Sequence, residues 1–77
     1  MTTPAARHRL NPAKLLLSKW TAVAPVNREK HFIVTELIRD EEDRILSIEL
    51  QAVLTRRVEQ MPWQALQDTG RWQTGWK

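Results

Sequence analysis

From Leu46 onward every second residue is apolar (Leu46, Ile48, Leu50, Ala52, Leu54), with Ser47, Glu49 and Gln51 between them. That period of two is what a strand with one buried face requires, and it predicts a strand that sends the even-numbered residues inward. A helix through the same stretch would align Leu46, Leu50, Val53, Leu54 and Met61 behind an Asp43 cap, but it would leave Ile45, Ile48, Ala52 and Val58 off its stripe. The strand reading accounts for more of the apolar residues.

Upstream, residues 31–39 hold Phe32, Ile33, Val34, Thr35, Leu37 and Ile38, a second strand with both faces substantially apolar. Residues 18–23, with Trp20, Thr21 and Val23, predict a first strand that ends before Pro25, because proline lacks the N–H a central strand needs. The acidic cluster Asp40-Glu41-Glu42-Asp43 separates strands two and three and reads as the tip of a hairpin. A three-residue loop, 41–43, would pair Asp40 with Arg44. It would set Phe32, Val34 and Ile38 opposite Ala52, Leu50 and Leu46, with Glu36 as the one misfit on that face and Leu37, Thr35 and Ile33 facing Ser47, Glu49 and Gln51.

The remaining elements are short. Asn11-Pro12 predicts a capped helical turn, residues 56–61 a fourth strand, and Pro62-Trp63-Gln64-Ala65-Leu66 a second helical turn closed by Gly70. Residues 71–77 predict a closing strand or docked tail. Residues 1–10 lack any apolar period and predict a disordered tail before a single domain over 11–77. The expected fold class is mainly β: a small antiparallel sheet or partly open barrel of four to five strands with one or two short helical turns.

Composition narrows the setting. A chain of 77 residues with no cysteine has no disulfide framework and no thiolate metal site, which suits a reducing compartment, by default the cytoplasm. The longest apolar run, Leu15-Leu16-Leu17, is far too short to span a membrane, and the first nine residues hold no apolar signal segment. The net charge of +3 is unevenly spread, with basic ends around an acidic centre, so polyanion binding by the whole surface is disfavoured and a local basic patch stays open. Four tryptophans must supply much of the buried area. Trp20 and Trp63 are expected in the core, while Trp72 and Trp76, in a polar segment beside Arg71 and Lys77, are open to either a core or a surface role.

The series Ser18-Lys19-Trp20-Thr21-Ala22-Val23, Glu29-Lys30-His31-Phe32, Ala52-Val53-Leu54-Thr55, Pro62-Trp63 and Trp72-x-x-Gly75-Trp76 resembles the small tryptophan-rich bacterial proteins of unknown function, over about residues 14–77. The resemblance implies a bacterial, single-domain protein and brings no cofactor, substrate or catalytic residue with it.

The chemistry visible in the sequence is sparse. His31 is the one serious general-base candidate, but a lone histidine at a strand entry has no nucleophile to activate. The acidic run lacks the spaced ligands and glycine turn of a calcium loop. Gly70 and Gly75 are too far apart to cradle a phosphate. The expectation is a non-enzymatic protein without cofactor or metal. It would act as an interaction or assembly module, with a protein partner slightly favoured over nucleic acid and no membrane partner. The alternative is an RNA or single-stranded DNA binder using Arg28, Lys30, Arg56, Arg57 and Arg71 around Trp72 and Trp76.

Overall fold

The computed structural model describes residues 8–77. Five antiparallel strands form one open sheet in the order β4-β3-β2-β1-β5. The strands are β1 (Lys19–Val26), β2 (Glu29–Arg39), β3 (Ile45–Ala52), β4 (Val58–Pro62) and β5 (Trp72–Thr74), with single 3-10 turns at Pro12–Lys14 and Trp63–Gln67. The mainly β expectation holds, as an open sheet and not a barrel. Among the described residues no helix is long and apolar enough to cross a membrane.

Both short turns form where proline opens them. The Asn11 side chain accepts a hydrogen bond from the Ala13 amide at 3.1 Å, and Pro12 occupies the first helical position, where a missing N–H costs nothing. These turns lay Leu15 and Leu66 on one face of the sheet, where they bury Trp20, Phe32, Val34, Ile48, Leu50, Ala52, Met61 and Trp72, with Leu10, Trp63 and Ala65 packed around them. We call this the inner face.

The central hairpin confirms the expected register at its open end: Phe32 lies opposite Ala52, Ile33 opposite Gln51 and Val34 opposite Leu50. Beyond Val34 the register slips, so that Glu36 pairs with Glu49, Leu37 with Ile48 and Ile38 with Ser47. The expected pairing of Ile38 with Leu46 is therefore corrected. The bulge at Thr35, whose hydroxyl reaches the Glu49 carbonyl at 3.4 Å, has a plain cause. An unbroken register would set the Glu36 carboxylate on the inner face; one extra residue turns Glu36 outward to solvent and brings Leu37 against the core beside Ile48.

A second irregularity, between Ile38 and Arg39, restores the frame, and the Asp40 amide donates to the Arg44 carbonyl at 2.8 Å around the expected loop 41–43. Asp43 takes a left-handed φ of 63°, as the last residue of such a three-residue loop must. The strict even-residue rule for β3 is accordingly too strong. Ile48, Leu50 and Ala52 are fully buried, whereas Leu46 is 53% and Leu54 68% exposed. Leu46 is the extra residue at the second irregularity, and Leu54 lies beyond the end of β3 in the loop to β4.

Strand β1 runs through Pro25 instead of ending before it, because it leaves β2 there. It takes five residues to pass from Thr21 to Val26 while β2 takes two from His31 to Glu29. In the arch so formed, Ala22 pairs with Trp72 of β5, and the Val23 amide donates to the Arg71 carbonyl at 2.9 Å. Pro25 then needs no ladder partner.

Of the expected tail, residues 1–7 lie outside the described residues. Residues 8–10 are docked and not free. The His8 amide donates to the Gln67 carbonyl at 3.0 Å, its Nε2 lies 2.8 Å from the Trp72 carbonyl, and its ring meets Trp20 edge-on at 5.5 Å. The two hydrogen bonds join residues some 60 positions apart, which no local pattern can reveal.

Candidate binding pocket

The arch of β1 leaves a pocket of about 310 Å³ on the inner face, walled by Ala22, Ala24, Val26, Phe32, Met61 and Trp72, with Glu29, Glu59, Arg57 and Arg71 at its polar side. Asn27, which also lines it, belongs to the hairpin turn Asn27-Arg28, where both residues adopt left-handed φ values of 56° and 64°. A two-residue turn with positive φ at both positions matches the twist of the flanking strands, and it places Glu29 directly opposite Val26.

Glu29 is buried, and a buried carboxylate needs partners. They come from the loop between β3 and β4. Arg57 Nε donates to both Glu29 oxygens at 3.0 Å, Arg57 Nη2 donates to Oε1 at 2.9 Å, and the Thr55 hydroxyl donates to Oε2. Arg57 Nη2 also reaches Glu59 Oε2 at 3.3 Å. This fork fits a planar carboxylate in a way a lysine ammonium does not, and it ties the first hairpin to the last. The Arg57 hydrogen bonds, seconded by that of Thr55, hold the Glu29 carboxyl below its ordinary value, and the carboxylate in turn raises the Arg57 guanidinium.

A carboxyl whose pKa is lower in the folded than in the unfolded chain stabilises the fold fully above the ordinary carboxylate range. That contribution drains away as acid takes the pH down through the depressed folded value. Glu29→Gln should therefore melt below the parent protein near neutral pH, and the difference in Tm should shrink steadily in titrations below the ordinary glutamate range. A pH-independent difference would mean that shape, not ionisation, makes Glu29 matter.

Trp72 faces the same pocket and is 6% exposed, its ring edge-on to Phe32 at 5.2 Å. Its indole Nε1 is the buried side-chain donor for which no acceptor exists among the described residues. Leaving such a donor unpaired costs roughly 1–3 kcal/mol. The other indoles show how readily the fold satisfies this group: Trp20 Nε1 donates to Ser18 Oγ at 2.8 Å and Trp76 Nε1 to the Phe32 carbonyl at 3.0 Å.

The residues expected to share a basic, aromatic surface are dispersed. Arg57, Arg71 and Trp72 meet at the pocket, with Arg57 neutralised by Glu29 and Glu59. Arg28 sits in the β1–β2 turn, Lys30 is exposed on β2, and Arg56 takes a left-handed φ of 63° in the β3–β4 loop. Trp76 lies across the opposite, outer face, where Lys19 Nζ stands 4.7 Å from its ring centroid and His31 packs at 6.1 Å. The chain reaches that face through Gly75, at φ 78°, where the Thr21 hydroxyl donates to the Gly75 carbonyl at 2.6 Å and accepts from the Lys77 amide at 2.9 Å. The terminal tryptophans are thus split, Trp72 joining the core and Trp76 remaining 45% exposed.

The profile of a family described as Tryptophan-rich protein (DUF2389) matches residues 18–77, all of the sheet and every tryptophan. The chain belongs to this family. Its function is unknown, and the match begins at Ser18, the residue that holds the Trp20 indole. No curated protein and no solved structure matches the chain.

Glu29 and Thr55 stand in the motifs that carry the family resemblance, but sequence reasoning gave neither a place in a site. The available signal was weak: a single acid in the basic first third of the chain, next to a turn. The acidic tip was read correctly as a solvated hairpin end. Asp40 Oδ1 accepts from the Glu42 and Arg44 amides at 2.8 and 2.9 Å, and Arg44 pairs with Asp40 and Glu42. Among the described residues no cluster of three or more metal-ligating side chains occurs.

Proposed function

We propose that this protein is a non-catalytic interaction module that engages a protein partner through the outer face of its sheet at Trp76. The observation that carries the reading is the Trp76 ring itself. It is fixed by its indole hydrogen bond to Phe32 and by Lys19 over its face, yet nearly half exposed. A rigid aromatic ring with an open face is what binding hot spots use, because little side-chain entropy remains to be lost on contact.

Ile33, Val53 and Val58 extend the apolar surface on the same side of the sheet, in register with Lys19, His31 and Gln51. Lys19 and Lys77 have no carboxylate partner among the described residues. The complementary surface is therefore an apolar side chain flanked by carboxylates. Both histidines of the chain are engaged with backbone carbonyls, His8 with that of Trp72 and His31 with that of Lys77 at 3.0 Å, which supports a binding role over acid–base chemistry.

The nucleic-acid alternative is weakened by the same geometry. Its two rings lie on opposite faces, and Arg57 is already neutralised. We assign the module to the bacterial cytoplasm, a reducing compartment suited to a chain without cysteine.

Capture from bacterial lysate, with and without nuclease, tests the proposal. The bound protein should survive nuclease, fall away with rising salt and be lost with Trp76→Ala, while the circular dichroism and melting of that variant stay near those of the parent. Capture abolished by nuclease, together with salt-dependent binding of single-stranded oligonucleotides, would transfer the case to the nucleic-acid reading.

A further inference from the structure

Resting on the outer face as a binding surface, we propose that its partner is a second copy of this chain, whose Glu36 and Glu49 meet Lys19 and Lys77 while the apolar outer residues of the two copies cover Trp76. The starting point is a pair of carboxylates that the fold leaves facing each other.

The bulge at Thr35 turns Glu36 outward and pairs it directly with Glu49, which points outward between the buried Ile48 and Leu50. Like charges directly opposite on neighbouring strands repel. Neither carboxylate belongs to an ion pair among the described residues, and on its other flank Glu49 meets only the neutral Gln60. On the same face Lys19 stands over Trp76, and Lys77 is held beside it by the backbone bonds to Thr21 and His31. One face thus carries two unmatched cations at its Trp76 end and two unmatched anions further along the central hairpin. Within one copy no ion pair joins them.

Apolar side chains lie between the charges. Ile33 is flanked by Lys19 and Gln51, Val58 lies beyond Gln51, and Ile38 follows Glu36 at the next outward position of β2. Val58 is 50% and Trp76 45% exposed, on the uncovered side of an open sheet, where such a patch marks an interaction surface. The complement of Trp76 and its lysines is an apolar side chain flanked by carboxylates, and Ile38 with Glu36 and Glu49 presents that group on the same face. A half-turn about an axis lying between two stacked sheets brings the cations of each copy onto the anions of the other. Both contacts then form at once, the isologous arrangement of a two-fold dimer. Stacked sheets lie about 10 Å apart, within reach of facing lysine and glutamate side chains.

Sedimentation velocity of the full chain over a dilution series provides the test. The mass should rise with concentration toward twice that of the chain, and the dimer should weaken between about 0.1 M and 1 M salt, as the screening length falls from about 10 to 3 Å. Lys19→Glu and Glu49→Lys should each weaken dimerisation about tenfold or more, because each sets like charges together in both contacts. An equimolar mixture of the two variants should restore it, since every cation again meets an anion. Glu49→Lys should melt no lower than the parent, because it also removes the repulsion from Glu36, so its lost dimer cannot be a lost fold. Trp76→Ala should abolish the dimer. A chain that stays at monomer mass up to about 1 mM, or a mixture no more associated than either variant alone, would overturn the proposal. Capture from lysate separates the two failures: a monomeric chain that still binds a protein through Trp76 keeps the outer-face site and loses the second copy as its occupant, whereas one that binds none loses both.

Discussion

Trp72→Ala is expected to unfold the domain or leave it marginal, with a loss of about 3–5 kcal/mol in urea denaturation. The ring is buried on the inner face, edge-on to Phe32, and is carried by β5, an edge strand of only three residues. The comparison with Trp76→Ala makes the result diagnostic. That ring contributes one hydrogen bond, one cation–π contact and a tilted contact with His31 at the surface, together about 1–2 kcal/mol. Equal losses from the two substitutions would show that the terminal tryptophans share one environment, contrary to the split between faces.

Leu50→Ala, in the middle of β3, should cost about 2–5 kcal/mol by the lost transfer energy and the cavity left behind. Leu50 is fully buried and lies between Val34 on β2 and Glu59 on β4, so neither neighbouring strand can move in to fill the gap without breaking a ladder. A domain of this size is held by a core worth only about 3–5 kcal/mol, so the variant should populate the unfolded state at 25 °C. Leu50→Met, which conserves volume, should cost less than about 1.5 kcal/mol and keep the cooperative transition. A mild effect of the alanine variant, with the transition intact, would mean that the turns bearing Leu15 and Leu66 settle into the vacated space.

The two substitutions also mark where pattern reading succeeds and where it fails. The inward direction of Ile48, Leu50 and Ala52 followed from alternation alone, because a strand has only two faces and one of them was polar. The same rule failed at Leu46 and Leu54, since alternation holds only while the ladder is unbroken. Glu36 was the visible warning: a carboxylate on the apolar side of an otherwise good register. The fold resolves it with a bulge at Thr35, a solution the sequence states only as a conflict.

The candidate site was less legible still. Arg57, Arg71 and Trp72 were singled out for a basic, aromatic surface, and they do meet, but around a pocket whose two acids, Glu29 and Glu59, were not among them. The partnership of Glu29 with Arg57 spans 28 positions and depends on two hairpins folding side by side, so composition offers no hint of it. The residue types were informative; the sign of the site was not, because Arg57 spends its charge inside the protein.

By itself, the sequence determined the local elements: the strands by period, the turns by Pro12, Pro62 and the acidic cluster, the closing of the central hairpin by its loop length, and the tryptophan-rich family by its spaced motifs. These are short-range properties, set by φ preferences, capping and the two-residue repeat of a strand. Tertiary structure alone decided which face each terminal tryptophan occupies, where β1 departs from β2, and which donor was left without an acceptor. Those outcomes depend on contacts between residues far apart in the chain, whose energies are settled only when the whole sheet closes and water is expelled from its inner face.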